Sequence, residues 1–207
     1  MIALLAVASL AGSAATARAQ DPMYGGSGVE ITPIVGYRWG GGLSSVSGFR
    51  EVDTKDNWSY GVALGKRLPA FSTVEIAYTH FAGDVEATTN GGLKLPGVQL
   101  KRDDIMLNGK WYAYHGGAFM PYIVAGLGCS IFGSDRTETV GRFAWDIGAG
   151  LRRDMSQRMG LQIQGLWMPT WVTTGTGVWC DPFYCYGVGT GEYYDQFELS
   201  AGLIIKM

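Results

Sequence analysis

The last stretch of the chain, from Tyr194 to Met207, alternates apolar residues with polar or small ones up to its final position. Phe197, Leu199, Ala201, Leu203, Ile205 and Met207 fall on one face of an extended strand. Gln196, Glu198, Ser200, Gly202 and Lys206 fall on the other, with Ile204 the one apolar intruder. Successive side chains of a strand point to opposite faces, so this is a wall segment with one greasy side and one polar side. Lipid outside and a polar interior satisfy both.

The same period of two recurs in seven earlier segments: 28–40, 58–67, 72–82, 100–112, 121–132, 142–153 and 160–171. In the first, Val29, Ile31, Pro33, Val35, Tyr37 and Trp39 oppose Glu30, Thr32, Gly36 and Arg38. In the sixth, Phe143, Trp145, Ile147, Ala149 and Leu151 oppose Asp146, Gly148, Gly150 and Arg152. The connections alternate in length: long at 41–57, 83–99, 133–141 and 172–193, short at 68–71, 113–120 and 154–159. Membrane barrels have short turns at one end and longer loops at the other, whereas a soluble β-sandwich has no reason to alternate them. The expected fold is all-β, an eight-stranded antiparallel up-and-down transmembrane β-barrel.

Aromatics cluster at strand ends. With the long loops outward, Trp39, Trp58, Tyr78, Phe143, Trp145, Trp167, Trp171 and Phe197 point to lipid in the outer half of the wall, as an aromatic girdle.

Residues 1–19 hold an apolar run over 2–10 and then Ala17-Arg18-Ala19 before Gln20, the pattern of a signal peptide cleaved near Ala19/Gln20, although no Lys or Arg stands near Met1. Cleavage leaves 20–207 as one barrel domain. The run is too short to be a spanning helix. A formal charge of −2 supplies no basic field for nucleic acid, which is not an expected partner. Cys180 and Cys185 close a short ring, Cys-Asp-Pro-Phe-Tyr-Cys, that oxidises readily outside the cytoplasm. A disulfide there is worth roughly 2 kcal/mol. Zinc is the rival for these thiols, and it lacks two further ligands nearby.

Residues 121–128, Pro-Tyr-Ile-Val-Ala-Gly-Leu-Gly, resemble the Pro-Tyr-x-Gly-x-Gly-x-Gly fifth strand of the small outer-membrane barrels of the OmpA/OmpX type, with Val124 in place of the first Gly. Residues 144–151 are similar to that family's Gly-x-Gly sixth strand. The chain's end resembles the family's insertion signal at Ser200, Gly202, Ile205 and Met207, departing from it in that Met207 stands where an aromatic is usual. The resemblance implies a cell outer-membrane location, lipid and lipopolysaccharide as surroundings, the barrel assembly machinery as a partner during insertion, and no cofactor.

An eight-stranded barrel has an interior about wide enough for side chains to fill. Glu30, Arg38, Arg67, Glu75, Asp104, Lys110, Asp146, Arg152, Glu198 and Lys206 point inward, a mix of signs that must pair. A lumen plugged by such a network is the expectation, and it implies near-zero conductance. The chemistry of a lipid A-modifying barrel needs a base or nucleophile at the outer leaflet. His80 lies at the outer end of the third strand with Asp103 near it in register, but no Ser or Cys evidently shares their face, and His115 falls in a short turn. The expected function is therefore non-enzymatic, structural or surface-interacting through the long loops. Trp179, Phe183, Tyr184, Tyr186, Tyr193 and Tyr194 crowd in or beside the last of these and suit either an unidentified surface ligand or mutual packing that orders the loop. The alternatives are a narrow OmpW-like channel for small hydrophobic molecules and a lipid A-modifying enzyme.

Overall fold

The computed structural model describes residues 28–43, 49–68, 72–89, 94–113, 118–134, 137–172, 177–180, 185–187 and 192–207. The expected signal peptide and His115 lie outside them.

Twelve strands follow one another among these residues: β1 (Val29–Gly40), β2 (Gly42–Leu43), β3 (Phe49–Thr54), β4 (Asn57–Leu68), β5 (Ser72–Thr89), β6 (Lys94–Tyr112), β7 (Met120–Ser134), β8 (Thr137–Asp154), β9 (Met159–Val172), β10 (Gly177–Cys180), β11 (Cys185–Gly187) and β12 (Glu192–Lys206). Eight of them, β1, β4, β5, β6, β7, β8, β9 and β12, pair in that order, each antiparallel to the next, and β12 returns to β1. Gly36 faces Ser200 and Arg38 faces Glu198 across that last seam. The ring is closed, so none of its strands is left with an open edge.

Burial is inverted relative to a soluble sheet. Ile123 and Leu127 are 62% and 61% exposed, while Arg38, Arg102 and Asp104 are fully buried. Only a wall with apolar surroundings outside and a packed polar lumen inside accounts for both, which removes the sandwich. The lone intruder of the last strand, Ile204, is buried in the lumen. Two ladders skip partners beside a proline: at Pro33 between β1 and β12, and at Pro169 between β8 and β9. Proline lacks the amide hydrogen a ladder needs.

The connections differ most from expectation. β5 continues to Thr89 and β6 starts at Lys94, so most of 83–99 is paired strand, with β3 added along β5. β7 and β8 run on until Ser134 pairs with Thr137, which absorbs most of 133–141. Antiparallel hydrogen bonding does not stop where the apolar face stops. The β-branched Val85 favours the extended backbone where the ladder continues. The opposite end keeps short turns, one of them held by Met155 and Ser156 amides donating to the Met159 carbonyl. At the long-loop end of β1, Gly40 and Gly41 adopt φ of 81° and 103°, values reserved largely for glycine, and turn the chain toward β2.

Candidate functional site

The lumen is the site on which inward strand positions converge, and it is stacked in layers. Toward the long loops, the Arg38 guanidinium donates from Nε to Glu198 Oε2 (2.6 Å), from Nη1 to Asp104 Oδ2 (2.6 Å) and from Nη2 to Thr79 Oγ1 (2.7 Å). Arg102 donates from Nε to Asp104 Oδ1 (2.7 Å), from Nη1 to Gln196 (2.7 Å) and from Nη2 to Ser130 (2.9 Å). Asp104 thus sits between two arginines, and Ser130 donates to it as well (2.5 Å). Such charges are tolerable away from water because nearly every donor has an acceptor.

Above this layer the lumen is capped by rings. Phe81 lies 5.6 Å from Arg38, and Phe132 and Tyr194 lie 5.4 and 5.9 Å from Arg102, all within cation–π range. The Tyr194 hydroxyl shares a hydrogen bond with Thr54 on β3 (2.7 Å). Tyr194 stands where the last loop meets β12, and the strand parity of β12 turns it inward, where it is 3% exposed. The backbone positions of Trp179, Tyr186 and Tyr193 fall on strands, and Phe183 and Tyr184 lie outside the described residues.

At the short-turn end Arg152 grips Glu30 with two bonds (2.8 and 2.7 Å) and reaches Asp154 (3.0 Å). Arg67 lies 3.4 Å from Glu30, and Lys206 lies 2.9 Å from Asp154. Between the two layers Lys110 donates to Glu75 (2.8 Å) and Gln162 (3.0 Å), while Tyr122 donates to Gln164 (3.0 Å). Where Ala149, Gly150 and Gly165 thin the wall nearby, a groove of about 700 Å³ forms, lined outside by Trp111, Ile123, Leu151 and Ile163. The Tyr122–Gln164 bond joins two residues that line it from the lumen side.

All ten lumen residues named from the sequence point inward, and nine are drawn into ion pairs with one another, Arg102 or Asp154. The tenth, Asp146, is buried at 2% exposure, and neither carboxylate oxygen has a partner among the described residues. Arg102 and Asp154 were missed, although each continues the inward parity of Asp104 or Arg152 by two positions.

The aromatics expected at the girdle all face outward. Trp39 stacks on Phe197 at 6.3 Å and Trp145 meets Trp167 edge-on at 5.0 Å, across the β1–β12 and β8–β9 sides of the wall. Trp58 packs on Tyr37, and Tyr78, Phe143 and Trp171 are exposed. Ser200 and Gly202 face the lumen; Ile205 and Met207 face out.

His80 does meet Asp103, Nδ1 to Oδ1 at 2.7 Å, and the Tyr78 hydroxyl donates to that same oxygen at 2.7 Å. The Tyr60 ring lies 5.1 Å from the imidazole. The cluster is on the outward face. Cys129 shares that face, contrary to expectation, but it stands opposite Ile105 on β7, two strands from His80. Cys180 and Cys185 are direct backbone partners between β10 and β11; their side chains lie outside the described residues.

No family model and no curated protein matches the chain. Solved structures do. The Neisserial surface protein A aligns over 86% of this chain and 97% of its own at 15% identity, with a TM-score of 0.58. The fold is that of the small outer-membrane β-barrels. The outer membrane protein OprG from Pseudomonas aeruginosa aligns over 87% of this chain and 96% of its own at 12% identity and a TM-score of 0.57. At these identities the likeness of the outer-membrane barrels carries the fold alone, and the lumen must be read from its own residues.

Proposed function

We propose that this chain is an integral outer-membrane protein that performs no chemistry and acts through the surface at its long-loop end. One observation carries the reading: the charged layers and the Phe81–Phe132–Tyr194 cap leave buried side chains, with Arg38 and Arg102 at zero exposure, where a channel would need water. A filled lumen leaves the rim as the working part. In this reading residues 1–19 direct export, the assembly machinery reads Ser200, Gly202, Ile205 and Met207, and the outward aromatics form the girdle at the level of lipopolysaccharide. Cys180 and Cys185, opposed in register, join to brace the last loop. The Neisserial relative is itself described as a surface protein.

Purified protein in a planar bilayer tests the sealed lumen. Near-zero conductance is the expected result, and large stable channels would overturn it. Heat-modifiable gel migration of outer-membrane fractions tests the location, which a soluble, unshifted protein would contradict.

A further inference from the structure

Asp146 on β8, Gly126 on β7, Asn108 on β6 and Glu75 on β5 are successive cross-strand partners in one row of the wall, and all four point inward. Their side chains bring together oxygens with nothing to bind: both of Asp146, Oδ1 of Asn108 and Oε1 of Glu75 are buried and without a hydrogen-bond partner among the described residues. Gly126 is what lets the first two converge. A Cβ there would run into Asn108 Oδ1 and Asp146 Oδ1 together, so both oxygens lean over the same bare backbone.

The charges facing Asp146 make this more than an untidy corner. Glu75, Asp104 and Glu198 act on it as like charges, from β5, β6 and β12, and Lys110 is the cation that opposes them. Lys110, however, is already bound to Glu75 and Gln162. Asp104 and Glu198 are likewise committed to Arg38 and Arg102. The middle layer therefore carries one uncompensated negative charge, and a lone charge kept from water costs several kcal/mol. Turning the Asn108 amide to present its Nδ2 hydrogens gives Asp146 a donor but leaves its charge uncompensated; a positive group between the two side chains supplies that charge.

We propose that Asp146 and Asn108 form a lumen site for a single monovalent cation, either a proton shared between the two oxygens or an alkali ion bound by both. The charge fixes the valence: one free carboxylate balances a single positive charge, whereas a calcium site usually gathers several carboxylates. The site stands apart from whatever the outer surface does, and it holds whether or not the rim binds a ligand.

Wild-type protein and Asp146→Asn, folded in detergent, are compared by the midpoint of thermal unfolding in two titrations. An alkali occupant raises the wild-type midpoint by several degrees with sodium or potassium chloride beyond choline chloride of equal ionic strength, and leaves the variant unmoved. A proton occupant makes the wild-type midpoint fall more than the variant's as pH rises from about 5 to about 9, and gives an undissociated-carboxyl infrared band that the variant lacks. Either result supports the site. Parallel responses of the two proteins in both titrations, with no such band, overturn it. Asn108→Leu serves as a second variant if Asp146→Asn does not fold: it keeps the carboxylate, removes the second oxygen, and should weaken the same response.

Discussion

Asp104 is the residue on which the lumen turns, because it neutralises Arg38 and Arg102 at once. Asp104→Asn leaves Arg102 buried with no anion and Arg38 with Glu198 alone. Removing one partner of a buried ion pair destabilises by about 3–5 kcal/mol, and urea unfolding of the refolded barrel should show a loss of that order. His80 is a different case. Asp103, itself bonded by the Tyr78 hydroxyl, already holds its Nδ1 on the lipid-facing side, and Cys129 is two strands away, so no Ser or Cys among the described residues is placed for it to activate. His80→Ala should leave lipid A composition unchanged in cells; an altered lipid A would return the enzyme reading. Inward charge was legible at this scale because parity alone sorts side chains between faces. The lack of a partner for Asp146 among the described residues was not, since the nearby cations come from other strands and are held by other carboxylates.

The eight wall strands were legible in number and phase but not in length, and β2, β3, β10 and β11 were not legible at all. Composition changes where charged residues and glycines begin, as at Gly83 and Asp84, yet the β5–β6 ladder crosses them to reach Thr88 and Lys94. Polarity marks the edge of lipid, not the edge of a strand. Arg102 lies near such a composition boundary, two residues inside the start of its segment, where parity is weakest as a guide. The β10–β11 pair gives this scale its own prediction. With Cys180 opposite Cys185, denatured protein should offer one reactive thiol, Cys129, without reductant and three after reduction. Three from the start would dismiss the bridge.

For the molecule as a whole, alternating faces and alternating connections were enough to anticipate a closed eight-strand ring, because each arises from local chemistry that the environment on either side imposes. The cap of rings over the arginines was beyond reach, as it depends on how tilted strands bring Phe81, Phe132 and Tyr194 to one level. Deleting residues 192–207 should abolish heat-modifiable migration altogether, since β1 and β9 would each lose one of their two partners and the ring would open. A truncated chain that still migrates as a folded barrel would mean the ring can close without its last strand.

The seam between β1 and β12 also sets a clock. Arg38 and Glu198 stand 160 positions apart and must meet before the wall is whole. Nothing emerging from the ribosome can finish this protein until its final residues exist, and contacts so distant along the chain form slowly. Throughout that wait, every half-built intermediate carries a wet, unmated strand at either end and a greasy flank with no lipid beside it. Exposed edges and apolar flanks of this kind make a half-built chain prone to clump until the ring closes.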